Sequence, residues 1–281
     1  FVEPMHMSSS LNPQVRTVAI GGFGAIGQKI AAALDAGIPG LRLVAVSARD
    51  VARAQTVMNT YRQPVPVLTL GELAQVADVV VECAPAEVFA ALAEPALRAG
   101  RTLLVISVGA LVARQAHYQA LAQAHGASII VATGALLGLD AVQAAAQGQI
   151  HSIRMVTRKP PQGLQGAPYL VANNISVDGL TSPKKVFEGN ALDAVIGFPA
   201  NVNVAAALGL AGVGPENTMI EIWADPSTER NNHTITVDAD SASFTLTIAN
   251  IPSENPKTGR ITALSMIAAL RKLGSVLRVG T

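Results

Sequence analysis

Residues 17–27, TVAIGGFGAIG, decide the fold of the first half of the chain, because a short apolar run leads into a glycine-rich turn and then into a helical pattern. The glycines have the spacing G-x-G-x-x-G that binds dinucleotides between a strand and a helix: Gly22, Gly24 and Gly27. In such turns the first glycine permits a tight bend, the second leaves room for the pyrophosphate and the third lets the helix pack on the strand. We therefore predict a bound dinucleotide that these glycines contact together with Ala25 and Ile26.

The residues after the second predicted strand bear on which dinucleotide is bound. An NAD site usually has an Asp or Glu about 20 residues beyond the glycines, whereas this chain has Ser47, Ala48 and Arg49 there and Asp50 only afterwards. A hydroxyl and a guanidinium suit the 2′-phosphate of NADP. We predict NADP as a cofactor with Ser47 and Arg49 as ligands, and NAD stays open because Arg49 could equally be a solvated loop residue.

The rest of the first half alternates short β-branched runs with longer Ala- and Leu-rich stretches, which is typical of a parallel α/β sheet. Helices are predicted over residues 26–36, 85–99 and 110–124. Six strands are predicted, enough for a doubly wound sheet of the Rossmann type: residues 17–20, 43–46, 66–68, 79–82, 102–106 and 128–131.

The pattern changes after a glycine-rich turn at residues 133–138. Strands are predicted over 151–158, 220–223, 234–238 and 243–248, the last two as a hairpin-like pair, so a second α+β domain with a more antiparallel sheet is expected. Residues 259–273 form an amphipathic helical pattern that should pack back on the first domain. The predicted domains are residues 14–135 plus 255–281, which bind the dinucleotide, and residues 136–254.

Composition excludes several classes of function. The chain of 281 residues is 50% hydrophobic and 14% charged, as expected for a compact globular protein with a large core. A net charge of +1 and a 4% share of aromatic residues argue against nucleic acid as a partner. No uninterrupted apolar run reaches the ~18 residues of a membrane span. Cys83 is the single cysteine, which fits a reducing cytoplasm.

Histidines are the candidates for proton transfer near neutral pH. His117, His125 and His151 lie on predicted helices or at a strand end, where a structural role is the simpler interpretation. His233 lies in ADPSTERNNHTI, which we predict to be a polar loop between two strands, among carboxylates and amides. Catalytic groups concentrate in such loops, so His233 is the candidate general acid–base.

Three longer segments resemble the L-aspartate dehydrogenases. They are residues 189–212, GNALDAVIGFPANVNVAAALGLAG, residues 222–233, IWADPSTERNNH, and residues 250–270, NIPSENPKTGRITALSMIAAL. The resemblance extends from residue 17 to residue 273. It implies reversible NAD(P)-dependent oxidation of L-aspartate to iminoaspartate, hydrolysed to oxaloacetate and ammonia. It also implies a cofactor domain completed by the C-terminal helix and a catalytic domain that forms a homodimer.

The resemblance also assigns individual residues. The family's catalytic histidine falls on His233, its cofactor-binding asparagine on Asn203, with Asn201 nearby, and a contact near the nicotinamide on Ala135. A helix N-cap is the alternative for either asparagine. Cys83 is expected to line the nicotinamide pocket as an apolar residue rather than a nucleophile.

A dicarboxylate substrate requires cations. The candidates are Arg158 and Lys159 in TRKPP and Lys184 or Lys185 in SPKK, with ordinary surface positions as the alternative for each. No metal is expected.

Two other readings stay open from the sequence. One is a different oxidoreductase of this architecture, similar to dihydrodipicolinate reductase or homoserine dehydrogenase. The other is a non-catalytic NADP-binding regulator. The direction of the reaction is open too, since iminoaspartate could feed pyridine nucleotide biosynthesis or aspartate could be made from oxaloacetate.

Overall fold

The computed structural model describes residues 15–199, 203–252 and 259–280, and their strands form two five-stranded sheets. The first sheet is entirely parallel in the order β2-β1-β3-β4-β5. Its strands are β1 (Arg16–Gly21), β2 (Leu41–Ser47), β3 (Val79–Glu82), β4 (Thr102–Val105) and β5 (Ser128–Val131). Strands β3 and β4, in the middle of the sheet, are short apolar runs buried on both faces, as parallel strands covered by helices must be.

The helices of this half alternate with its strands, which confirms the predicted α/β class. They are α1 (Ala25–Ala36), α2 (Val51–Met58), α3 (Leu73–Val76), α4 (Phe89–Arg98), α5 (Val108–Val112) and α6 (Gln115–His125). The predicted helix over 85–99 begins with a 3₁₀ turn at Ala86–Val88, and the one over 110–124 is divided between α5 and α6.

The predicted strand over residues 66–68 is wrong. This segment makes a single parallel bridge, between Val46 and Val67, and the sheet therefore has five strands. The backbone N–H of Val46 donates to the carbonyl of Pro66 at 3.1 Å. Proline has no N–H to donate, and Pro64 and Pro66 alternate here, so the ladder cannot be extended toward the N-terminus.

The second sheet is mixed, in the order β10-β9-β6-β8-β7, with β6 and β8 parallel and the other neighbours antiparallel. Its strands are β6 (Ile150–Lys159), β7 (Lys184–Asn190), β8 (Thr218–Ala224), β9 (Asn231–Ala239) and β10 (Ser243–Asn250). Strand β7 was not predicted, because only Val186 and Phe187 of its seven residues are buried and no alternation marks it.

Apolar side chains from one face of this sheet, such as Ile153 and Ile235, form a core with four helices. These are α7 (Leu139–Ala145), α8 (Pro168–Ala172), α9 (Ala191–Gly197) and α10 (Asn203–Ala211). The last helix, α11 (Ile261–Gly274), packs on α1, with Met266 and Leu270 in the core of the first sheet, as predicted. No helix among the described residues is long and apolar enough to cross a membrane.

Candidate active site

The glycine turn lies at the carboxyl ends of β1, β2 and β3. Gly22 has a φ of +101°, and a Cβ there would lie 2.5 Å from the carbonyl oxygen of Cys83, so only glycine fits. Gly27 packs against the backbone of Gly22. Gly24 is the N-cap of α1, and a Cβ there would meet nothing within 4 Å. This open space in front of a helix N-terminus is what a pyrophosphate requires, so the residues present fit a dinucleotide.

The end of β2 borders the same turn. The carbonyl of Ser47 accepts a hydrogen bond from the backbone N–H of Gly22 at 3.0 Å, and Arg49 is exposed just beyond. The Asp50 side chain accepts a hydrogen bond from the Arg53 backbone N–H at 3.0 Å and caps α2. The acidic residue of this segment is thus engaged with its own helix, while the cation beside it is exposed.

A cavity of about 200 Å³ opens next to the glycine turn. One wall comes from loops after β3, β4 and β5, and the other from the second sheet and the start of α10. In open α/β sheets, ligands bind at the carboxyl ends of the strands, which is where this cavity lies. The predicted residues that line it are Ile26, Cys83, Ala135, Lys159, Asn203 and His233.

The other predicted cofactor ligands do not line this cavity. They form the glycine turn and its border, where the remote end of an extended dinucleotide would lie: Gly22, Gly24, Ala25, Gly27, Ser47 and Arg49. Asn201 lies outside the described residues.

His233 is part of strand β9 and not of a loop, so the predicted loop position is wrong. Its side chain is 2% exposed, and its Nδ1 lies 2.9 Å from the Oγ1 of Thr157, the residue opposite it on β6. A hydrogen bond at one ring nitrogen determines whether the other donates or accepts. Burial, and secondarily the charge of Lys159, lower the pKa of His233 to about 3. The imidazole is therefore neutral around pH 7 when the cavity holds no substrate.

Lys159 is the last residue of β6 and is 3% exposed. It follows Thr157 by two residues, so both side chains project from the same face of the strand, toward the cavity. Burial lowers the pKa of its ammonium group to about 8. At neutral pH the cavity therefore contains a cation close to a neutral imidazole.

The other predicted substrate ligands lie away from the cavity, with Arg158 and Lys185 on the opposite face of the second sheet. The Arg158 guanidinium lies 4.6 Å from the ring centre of Trp223 and 3.4 Å from Oδ2 of Asp225. Lys185 pairs with Glu188, and Lys184 donates to the carbonyl of Ser176 at 3.1 Å. Neighbouring residues of a strand point to opposite faces, so Lys159 and Arg158 cannot both reach the cavity. Of the predicted cations, only Lys159 lines it in the described part of the chain.

Two asparagines tie the walls of the cavity together. The Oδ1 of Asn203 accepts a hydrogen bond from the backbone N–H of Gly109 at 3.0 Å, so its amide N–H groups remain for other partners. The Nδ2 of Asn250 donates to the carbonyl of Ala135 at 2.8 Å. Sequence reasoning missed Asn250 and Thr157, because each acts through a contact with a residue distant in the chain.

Cys83 lines the cavity beside the glycine turn. Burial, and secondarily the nearby Glu82 carboxyl, raise the pKa of its thiol, which disfavours the thiolate that a nucleophile needs. The described residues contain no group of His, Cys, Asp or Glu side chains suited to hold a metal ion.

The glycine turn lies at the carboxyl edge of a parallel sheet, and a cavity joins it to a second sheet that carries a buried histidine and lysine. This arrangement is that of a two-domain dinucleotide-dependent dehydrogenase. Comparison with known proteins gives the particular family. Residues 140–273 match the model "Aspartate dehydrogenase, C-terminal", and residues 22–132 match "Homoserine dehydrogenase, NAD binding domain". The chain belongs to the L-aspartate dehydrogenase family.

Individual relatives are similar to this chain over almost its whole length. An L-aspartate dehydrogenase of Bradyrhizobium diazoefficiens is 57% identical, with 94% of each chain covered. L-aspartate dehydrogenase 3 of Bordetella bronchiseptica is 52% identical over 94% of this chain and 97% of its own. The crystal structure of aspartate dehydrogenase from Thermotoga maritima superposes with a TM-score of 0.73 at 25% identity, covering 94% of this chain and 99% of that one.

Proposed function

We propose that the protein catalyses the reversible, NAD(P)-dependent oxidation of L-aspartate to iminoaspartate, which is hydrolysed to oxaloacetate and ammonia. The observation that carries this proposal is the buried pair of Lys159 and His233 in one cavity with the loops that follow the parallel strands. A cation suits a substrate carboxylate, and an imidazole suits the proton transfers of an amine. Family membership supports the same reaction.

When bound, the nicotinamide supplies the chemistry of hydride transfer. The glycine turn would hold its pyrophosphate, and the side-chain amide of Asn203 would donate to the carboxamide and orient the ring. Ala135, fixed by Asn250, would form part of the ring's surroundings.

Lys159 binds one carboxylate of the substrate in this proposal. The amide of Asn231, which is 4% exposed and lines the same cavity, is placed to donate to the substrate as well. The bound carboxylate neutralises Lys159, whose charge contributes to the low pKa of His233. Substrate binding therefore offsets the secondary cause of the low pKa of His233 and shifts that pKa upward, and the neutral imidazole accepts a proton from the substrate ammonium group. His233 then releases this proton to solvent, and as a neutral imidazole again it removes a proton from the water that attacks the imine.

Substrate selectivity tests this proposal. We expect NADP⁺ reduction with L-aspartate and at least about a hundredfold lower kcat/KM with L-alanine, because alanine lacks the second carboxylate and leaves one of the groups that bind the two carboxylates without its partner. L-Glutamate should also be poor, because an extra methylene displaces one carboxylate. Comparable turnover of glutamate or homoserine would favour another oxidoreductase, and NADPH binding without any turnover would favour a regulator.

Cofactor preference gives a separate prediction. Arg49→Ala should raise the KM for NADP⁺ about tenfold and leave the KM for NAD⁺ unchanged, because only NADP⁺ carries the 2′-phosphate. Arg42→Ala is the matched control, since Arg42 is an exposed arginine near the amino end of β2, the strand that precedes Arg49. Steady-state kinetics with both cofactors measure the effect, and equal losses for both would rule out a role of Arg49 at the phosphate.

The division of the chain is proposed to be residues 14–135 plus 255–281 for the cofactor and 136–254 for catalysis and dimerisation; residues 14 and 255–258 lie outside the described part. The packing of α11 on α1 supports the first unit. For a homodimer, the supporting feature is the sheet face opposite the helices, where Met219 is 45% exposed on the same face of β8 as Trp223. Sedimentation of the wild type and of Met219→Glu tests it, with a monomeric wild type as the contrary result.

The single cysteine supports a cytoplasmic location. The expected product, iminoaspartate, is compatible with a role in pyridine nucleotide biosynthesis. Fractionation of cells that produce the protein measures the location.

A further inference from the structure

Glu82 is a carboxylic acid that the proposed mechanism does not use. It ends strand β3 and is 0% exposed. Its side chain does not line the cavity, but three residues that it binds do: Ala84, Ile106 and Ser107. Glu82 therefore lies directly behind the cavity wall formed by the first sheet.

Its two carboxyl oxygens join the loops after β3 and β4. Oε1 accepts hydrogen bonds from the backbone N–H of Ala84 at 3.0 Å and from the hydroxyl of Ser107 at 2.9 Å. Oε2 accepts from the backbone N–H groups of Ser107 at 2.8 Å and Ile106 at 3.2 Å. One side chain thus holds four donors and fixes both loops relative to each other.

These partners also indicate the charge of Glu82. Burial raises the pKa of its carboxyl, and the hydrogen bonds from Ser107, Ile106 and Ala84 act against this. A protonated carboxyl would need an acceptor for its own proton, yet three of the four partners are backbone N–H groups that can only donate. The fourth, the Ser107 hydroxyl, is closer to Glu82 than to the carbonyl of Ala84, 2.9 Å against 3.3 Å. In the described part of the chain no ion pair neutralises Glu82.

We propose that Glu82 is a buried anion that makes the nicotinamide end of the cavity favour the oxidised cofactor over the reduced one. The oxidised ring carries a positive charge and the reduced ring none, so a nearby anion stabilises only the oxidised form. The effect is strong because both groups are shielded from water. This inference rests on the proposed function, which places the ring beside Ala135, in the cavity that Cys83 and Ser107 also line.

The charge of Lys159 explains why such an anion is useful. A cation is suited to binding a carboxylate, but it repels a cationic nicotinamide in the same cavity. Lys159 comes from the second sheet and Glu82 from the first, so the two charges act from opposite walls. Glu82 offsets the repulsion without binding the substrate, because it is sealed behind the wall.

Equilibrium binding tests this without turnover. The dissociation constants for NADPH, by fluorescence, and for NADP⁺, by competition, are compared in wild type and Glu82→Gln. We expect the ratio Kd(NADP⁺)/Kd(NADPH) to rise about tenfold, because glutamine keeps the shape and removes the charge. Glu82→Asp, which keeps the charge, should retain the wild-type ratio even if both ligands bind more weakly. Glu221→Gln, at a buried carboxylate on the far face of the second sheet, is the matched control.

A proportional loss for both ligands in Glu82→Gln would overturn the inference and leave Glu82 as a structural brace. If the glutamine variant does not fold, infrared spectra of wild-type protein labelled with carbon-13 glutamate decide, and a protonated Glu82 that donates to Ser107 would overturn the inference. A shifted ratio in a protein that does not oxidise aspartate would refute only the proposed function. A wild type that binds neither cofactor would refute both.

Discussion

Replacing His233 with alanine is expected to lower kcat by about two to four orders of magnitude, the usual contribution of a general acid–base. His233 is buried in the cavity and held through Nδ1 by Thr157, so the imidazole has a fixed position there. The affinity for NADPH should be largely retained, since the glycine turn is untouched. Stopped-flow and steady-state kinetics measure the loss.

Two further variants sharpen this test. Thr157→Val keeps the shape of Thr157 but removes the hydroxyl bound to Nδ1, and it should lower kcat by about tenfold, or about 1.4 kcal/mol, with little change in cofactor affinity. His117→Ala is the control: it replaces a half-exposed histidine that pairs with Glu94, and it should leave kcat unchanged. Near-wild-type turnover by folded His233→Ala would reject the assignment of the proton transfer to His233.

Replacing Lys159 with methionine is expected to raise the KM for aspartate and oxaloacetate by about a hundredfold or more. A buried ion pair that loses one partner typically costs 2–5 kcal/mol, roughly 30- to 5,000-fold in affinity. Methionine keeps the length and the apolar stem of lysine, so packing is preserved. Lys185→Met removes a cation from the opposite face of the same sheet and should leave both KM values unchanged.

The pH dependence of dicarboxylate binding follows from the charge of Lys159. Lys159 has its pKa lowered to about 8, so it is a cation below pH 8 and neutral above it. Inhibition by succinate, which does not titrate in this range, should therefore weaken about tenfold per pH unit above pH 8, and the inhibition constant of Lys159→Met should not change there. Tighter inhibition above pH 8 would mean that neutral Lys159 is the active form, as expected for a base and not for a carboxylate ligand.

Local patterns in the sequence predicted most of the first sheet, because each strand is an apolar run next to a turn and needs no information from distant residues. Two predictions were wrong where contacts with distant parts of the chain decide the conformation. His233 is the third residue of β9 in a polar segment, and its strand conformation depends on pairing with β6. Valines alternate with prolines around the segment at 66–68, and Pro64 and Pro66 leave only one bridge.

From the sequence, only those residues of the candidate site could be predicted that stand out by their type or by the family resemblance. His233 and Asn203 stand out through the family resemblance, and Lys159 was one of four cations without a local feature to distinguish them. Lys159 differs from the other three cations because its side chain points to the buried face of β6. Alternation along a strand shows which residues share a face, but it does not show which face is buried. Glu82 and Thr157 were missed because their partners, Ser107 and His233, are 25 and 76 residues away.

The most direct test of the account is NADPH oxidation with oxaloacetate and ammonium, measured by absorbance and repeated with NADH. We expect oxidation of NADPH only when both oxaloacetate and ammonium are present, with L-aspartate identified as the product by chromatography. Oxidation with oxaloacetate alone, which would yield a hydroxy acid, or no oxidation with both by folded enzyme that binds NADPH, would contradict it.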